Sequence, residues 1–264
     1  MASARGKEQI RTWLPALGLL VLFVIVAECL LALLRVPPYV LPKPSSVARE
    51  IVRSVSGLLK DAWITSLEAV AGFALAAFAG MCLAVGFCLS KFVERAAYPL
   101  VIGAKCMPLV ALAPILAIWF GGSSLAGKAM MAGFICFFPV VVNMRTGLDA
   151  IEPEALDLFR SLSASRLTVL WKLRLPSSVG YLLSALKTSS TLAVVGAVVG
   201  EFAISDRGLG YRIVQASYTG NTVAMFASVV CLGVLGVAFF GVISLVELVL
   251  LRKFRLGVGM PNSQ

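Results

Sequence analysis

Gly122, Gly127 and Lys128 stand at the spacing G-x-x-x-x-G-K, the opening of a loop that cradles phosphate with backbone amides and a lysine. The next residue is Ala129, where magnesium binding needs Ser or Thr, and neither a strand before the motif nor an acidic strand end after it is legible. The stretch is therefore read as a flexible connection, and no nucleotide site is expected on this chain. Cys29, Cys82, Cys88, Cys106, Cys136 and Cys231 all lie in apolar sequence, no C-x-x-C occurs and histidine is absent. Zinc and haem sites then lack ligands, and buried free thiols are expected. No catalytic residue, cofactor or metal is expected, so the chain does not read as an enzyme.

Two other sets of residues point to binding. The first lies in Asp157–Pro176, a polar and basic interruption between apolar blocks. Leu158, Phe159 and Leu162 fall within about one helical turn of each other, flanked by Asp157, Arg160 and Arg166, with Ser163 and Ala164 following. An apolar cluster on a loop facing water calls for a protein partner, with charges at the rim. The second set is a stripe within a later apolar block. Ser184, Thr188, Thr191 and Val195 share one helical face, with Ser189 and Ser190 adjacent and Lys187 one turn in. Hydroxyls inside a membrane serve either as helix-packing glue or as contacts for a passing solute. Glu201 ends the same block, as part of the solute path or as a helix-end hydrogen bond or ion pair with Arg207 or Arg212. Gly196-x-x-x-Gly200 permits close approach of another helix, within the chain or at a dimer seam. Glu28 and Glu247 are expected at the interface or paired within the bundle, and Trp63 and Trp119 suit interfacial anchoring.

The elements that must position these residues are membrane helices. The chain is 59% hydrophobic with mean hydropathy +0.95, and several uncharged runs approach the ~20 residues a spanning helix requires. Six spans are expected, at about 14–34, 66–89, 97–120, 129–142, 181–204 and 223–251. The first is too long in its apolar part for a cleaved signal peptide. Pro37, Pro38, Pro42 and Pro44 exclude regular helix after it. Residues 46–60 read as an amphipathic helix at the interface. Pro99, Pro108 and Pro114 predict a kinked or broken third span. A polar loop over 143–178 reads as helix, turn, helix, and the whole of 1–264 as one transmembrane domain. The net charge of +10 is scattered through loops with no basic run of five, so a nucleic-acid partner is not expected. With both termini inside, thirteen Lys and Arg fall inside and eight outside, which places the polar loop in the cytoplasm.

The polar loop resembles the cytoplasmic loop of ABC-importer permeases, which reads E-A-A, three residues, Gly, nine residues, Ile, one residue, Leu-Pro. Counted back from Leu175-Pro176, Leu173 stands at the Ile, Ser163 at the Gly and Asp157-Leu158-Phe159 at E-A-A. Three further stretches are similar to the same family. Leu41-Pro42-Lys43-Pro44-Ser45 matches L-P-x-P-S, Pro108–Gly121 matches its proline-rich third span, and Glu201-Phe202-Ala203 followed by Gly208-Leu209-Gly210-Tyr211 matches A-E-F…G-L-G-Y. Together they cover nearly the whole chain and point to the nitrate, sulfonate, taurine and bicarbonate type, whose relatives also carry thiamine-pyrimidine precursors.

The resemblance implies an all-α, six-span type I importer permease of a bacterial inner membrane, both termini cytoplasmic, with an outer amphipathic helix and a cytoplasmic coupling helix. It implies a second copy of the chain, two ABC ATPase subunits that hold ATP and magnesium, and an extracytoplasmic solute-binding protein. Asp157 to Arg166 would dock on the ATPase. Small anions and pyrimidine-type vitamin precursors are both open as solutes. The competing expectations are an ion-gradient-driven secondary transporter and a non-transporting membrane scaffold.

Overall fold

The computed structural model describes the backbone of residues 2–254 and the side chains of residues 15 and 18–251. Arg5, Lys7, Arg11, Arg252, Lys253 and Arg255, six of the residues counted toward the inner side, lie outside the described side chains.

Every described element is helical: α1 Ala2–Leu33, α2 Pro44–Arg53, α3 Val55–Leu89, α4 Lys91–Lys105, α5 Leu109–Phe120, α6 Leu125–Asp149, α7 Pro153–Ser161, α8 Arg166–Val169, a π-helix Leu170–Arg174, α9 Leu175–Ile204, α10 Leu209–Tyr218 and α11 Thr222–Phe254. Among the described residues, four helices are long and apolar enough to cross a bilayer: Val55–Leu89, Leu125–Asp149, the continuous run Arg166–Ile204 and Thr222–Leu251. The α4–α5 pair adds a fifth if counted as one broken span, bent by 104°.

Several boundaries differ from the expected ones for local reasons. The amphipathic segment over 46–60 is split at Ser54, and its second half merges with the next span into α3. Nothing between 60 and 66 stops the helix, because Thr65 and Ser66 return their hydroxyls to the carbonyls of Asp61 and Ala62. The third block breaks at Pro108, which lacks the amide a continuing helix needs. The fourth runs past Val142 to Asp149, because Asn143 and Thr146 bond back to Pro139 and Val142. Its start is also earlier. Ser124 caps the helix by accepting from the Gly127 amide at 3.2 Å, so Gly127 and Lys128 are helical and buried rather than part of a flexible outer connection.

The chain divides into two compact units. One runs up to Leu59 and includes Arg212–Val230. Within it, Glu28 of α1 accepts from the Ser45 amide at 2.9 Å and its hydroxyl at 2.7 Å, so it is paired as expected. Thr222 donates to the Tyr39 carbonyl at 2.9 Å.

The other unit comprises Lys60–Tyr211 and the chain from Cys231. Its core is a seam of small residues among α3, α6 and α9, with Ala69, Ala76, Ala132, Cys136, Ala193 and Ala197 buried. A Cβ on Gly72 would stand 2.6 Å from that of Ala132, and one on Gly196 2.6 Å from the Ala132 Cα. Small residues allow this backbone approach, and dispersion over the seam replaces the hydrophobic drive that lipid does not supply. Gly196 and Gly200 thus serve packing within the chain, against α6. Phe73 of α3 meets Phe239 of α11 edge to face at 5.2 Å.

Candidate functional site

The polar segment between α6 and α9 is built from three local rules. Pro153 opens α7 at a position where its missing amide costs nothing. The helix ends in a Schellman turn: the Ser163 amide donates to the Arg160 carbonyl at 2.9 Å and the Ala164 amide to the Phe159 carbonyl at 3.0 Å. This turn needs a left-handed residue, and Ser163 supplies it with φ +52°. Ser165 then caps α8 by accepting from the Thr168 amide at 3.2 Å. Pro176 has no amide for the Lys172 carbonyl, and the run into α9 widens to a π-helix in which Leu175 donates to Leu170.

Of the segment's expected anchors, Leu158 is 59% exposed and Leu162 70%, on one face at i, i+4. Phe159, three residues before Leu162, is half-buried and less open than either leucine. Asp157 and Arg160 pair with each other at 3.0 Å in the open. Ala164 is half-buried, while Ser163 and Arg166 are exposed. Leu167 and Trp171, which composition alone did not single out, are exposed at 58% and 69%.

The stripe on α9 is also exposed: Ser184, Thr188, Thr191 and Val195 all face outward from this chain, while Ser189 and Ser190 are buried. Thr188 and Thr191 return their hydroxyls to Ser184 and Thr188 carbonyls at 3.2 and 3.0 Å. Lys187 is paired with Glu247 at 2.8 Å and lies 5.4 Å from the Phe240 ring centre. Glu247 is thus paired within the bundle.

Glu201 is not on that surface. It is 1% exposed, accepts from Thr65 at 2.6 Å, and accepts from the Gly210 amide. Thr65 in turn accepts from the Leu209 amide at 3.0 Å, so one hydroxyl and one carboxyl fix the start of α10. Beside it, Lys128 forms a buried ion pair with Glu68 at 2.5 Å and donates to Ser205 at 3.0 Å. Ser123 donates to Asp206 at 2.5 Å, which holds that carboxyl below the ordinary aspartate range. Thr65, Glu68 and Lys128 escaped the sequence reading. A charge and a hydroxyl inside apolar blocks were the available signal, and Lys128 was assigned to a loop instead.

No described group of His, Cys, Asp and Glu side chains is arranged to hold a metal ion. Of the six cysteines expected to be buried, Cys136 is buried, Cys88 and Cys231 are half-buried, and Cys29, Cys82 and Cys106 are exposed, because helix faces that lipid or a partner would cover are open on this chain.

Residues 72–255 match the family model described as binding-protein-dependent transport system inner membrane component. The chain is 33% identical over 221 residues to the formylaminopyrimidine transport permease protein ThiX of Halalkalibacterium halodurans, covering 81% of this chain and 86% of that one. It is 30% identical over 243 residues to the riboflavin transport system permease protein RibX of Chloroflexus aurantiacus, covering 90% of each. An inward-facing structure of the MetNI methionine ABC transporter superposes with a TM-score of 0.63 at 16% identity, over 74% of this chain and 96% of that one, a likeness of fold. The chain therefore belongs to the binding-protein-dependent transport system inner membrane component family and is a permease subunit of an ABC importer.

Proposed function

We propose that this permease imports a small, uncharged nitrogen heterocycle, of the class named for its formylaminopyrimidine and riboflavin relatives, using ATP hydrolysed on a partner. The observation that carries the importer mechanism is the exposed pair Leu158 and Leu162, 59% and 70% open on a short helix rimmed by charge. Such a pair on a water-facing loop favours a protein groove as its seat. In this reading α7 and the turn to Arg166 dock on a cytoplasmic ABC ATPase that binds ATP and magnesium. Closure of two ATPases then drives a homodimer of this chain from inward-facing to outward-facing, ready to take solute from an extracytoplasmic binding protein. The chain itself is a transport subunit, not an enzyme.

The whole of 1–264 would act as one domain in a bacterial inner membrane. Six spans arise if α1 is the first and the bent α4–α5 pair the third, with both termini cytoplasmic and residues 143–178 as the coupling loop. The exposed hydroxyls of Ser184, Thr188 and Thr191 would line the path, with Glu201 bracing its outer end. Lys187 is neutralised by Glu247, so the cation on α9 is not free for a sulfonate, nitrate or bicarbonate. That favours a neutral solute over an anion.

Family membership decides against an ion-gradient transporter and a scaffold. The solute reading is tested on the associated binding protein: an aminopyrimidine should raise its melting temperature and an aliphatic sulfonate should not. The reverse pattern overturns the solute assignment. For the path, Thr191→Val keeps shape and removes one hydroxyl. Uptake should fall with assembly intact, whereas lost assembly with normal uptake per complex would make the stripe packing glue.

A further inference from the structure

We infer that Glu94, Arg145, Asp149 and Arg174 form an ionic relay that carries movement of the docking segment to the bent α4–α5 pair, with Arg145 as the positioning residue at its centre. The inference rests on the reading of the segment between α6 and α9 as the ATPase docking site.

The segment leaves the last turn of α6 and returns through the π-helix. Arg174 ties these two ends together. Its Nη1 donates to the Leu148 carbonyl at 2.9 Å and to Asp149 Oδ1 at 3.2 Å. The intervening residues therefore move with α6 and α9 as one piece. On the other side of Asp149, Arg145 Nη2 lies 2.8 Å from Oδ2. The same nitrogen lies 2.7 Å from Glu94 Oε1 in the first turn of α4. One guanidinium thus joins the end of α6 to the start of α4.

The helix dipoles explain why these signs stand where they do. A carboxylate in the last turn of a helix meets the negative end of the dipole and is disfavoured there. Asp149 is nevertheless the last residue of α6, and two arginines offset the cost. Glu94 sits at the positive end of α4, where a carboxylate is favoured. Arg145 therefore bridges two helix ends of opposite polarity. The Arg145 and Glu94 side chains are 21% and 18% exposed, so salt screens this link between the helices less than an open pair, while Asp149 is 44% exposed. Lys91, 73% exposed, also reaches Glu94 at 3.0 Å but belongs to α4 itself.

The far end of α4 is the place where a pull would register. The pair turns through 104° between Lys105 and Leu109, and the native Cys106 at that bend is exposed. A displacement of the docking segment, passed through Arg174, Asp149, Arg145 and Glu94, changes the setting of this bend.

The test uses the permease assembled with its ATPase in nanodiscs, with all cysteines replaced except a reporter. One preparation carries an environment-sensitive fluorophore on Cys106, a second on Ser165→Cys in the docking segment. Trapping with ATP and vanadate should change both signals. In Glu94→Gln and in Arg145→Gln, the Ser165→Cys signal should persist and the Cys106 signal should fall about twofold or more. Lys91→Gln, which removes a charge outside the relay, should keep both. A full Cys106 response in both relay variants overturns the relay and leaves the docking reading standing. So does an equal loss in Lys91→Gln, or loss of both signals in the relay variants. No response at Ser165→Cys without any relay substitution sinks the docking reading, and the relay with it.

Discussion

Gly210 donates its amide hydrogen to Glu201 Oε2 at 2.5 Å, across the turn that follows α9. A Cβ on Gly210 would stand 2.7 Å from that oxygen and 3.0 Å from the Val198 carbonyl. On Gly208, at φ +103°, a Cβ would collide with the same carboxyl. The G-L-G-Y motif is therefore the receptor for a buried acid from the preceding helix.

Gly210→Ala should lower the melting temperature of the purified permease, by overpacking worth about 1–3 kcal/mol. Gly208→Ala should lower it further, because left-handed backbone strain of roughly 1–2 kcal/mol adds to the collision. Melting curves for both indistinguishable from wild type would mean that the turn yields freely around Glu201.

The Glu68–Lys128 pair makes a sharper thermodynamic prediction. Both side chains are almost fully buried. Glu68→Gln strands a buried ammonium and should cost about 3–5 kcal/mol. Glu68→Gln combined with Lys128→Met removes both charges and should recover much of that loss. If the double variant is the less stable of the two, the charges are stabilising in their own right and the argument from desolvation is wrong.

On the proposed docking segment, exposed and half-buried apolar residues should behave differently. Leu162→Ala should weaken co-purification with the ATPase by about 2 kcal/mol, a loss of some thirtyfold in affinity. Phe159→Ala, at a half-buried position, should instead loosen α7, read as faster amide exchange across 153–161. Equal loss of ATPase affinity with unchanged exchange in both variants would place Phe159 back among the exposed anchors.

Ser163 holds a left-handed conformation that side chains other than glycine adopt at a cost. Ser163→Gly should relieve about 1 kcal/mol and slow exchange of the Ala164 amide, which closes the Schellman turn on Phe159. Ser163→Val should speed it. Faster exchange in the glycine variant would show that chain entropy, not strain, dominates the turn.

The Ser123–Asp206 contact has a pH signature. The Ser123 hydroxyl holds the Asp206 carboxyl below the ordinary aspartate range, so its contribution is fully present above that range and is lost as pH falls through the lower folded value. The stability gap between wild type and Asp206→Asn should be the same at pH 7 and pH 5 and close only in stronger acid. A gap that narrows between pH 7 and pH 5 would assign the contact to another titrating group.

Much of this architecture was legible residue by residue. The break at Pro108 follows from a missing amide, and the long helices follow from uninterrupted apolar runs that lipid tolerates and water does not. The position of Ser163 at the family's glycine already marked the turn that the structure shows in left-handed form. Helix boundaries were less legible. Thr65, Asn143 and Thr146 look like loop residues, yet each satisfies its polar group on its own helix.

The sequence by itself determined that this chain is a multi-helix membrane protein, and its ordered motifs pointed to the family, because hydropathy, proline and glycine act locally. Tertiary structure decided what the polar residues inside those helices do. Glu201 took the helix-end hydrogen bond among its two expected roles, with the Gly210 amide as partner, Lys128 became the partner of Glu68 rather than a loop cation, and Gly196 became a contact for Ala132. Each of these roles depends on a partner more than 50 residues away or on the burial of both groups together, and no local pattern encodes such a pairing. The energy of a buried charge is set by what stands within a few ångströms of it, and that is decided only when the helices pack.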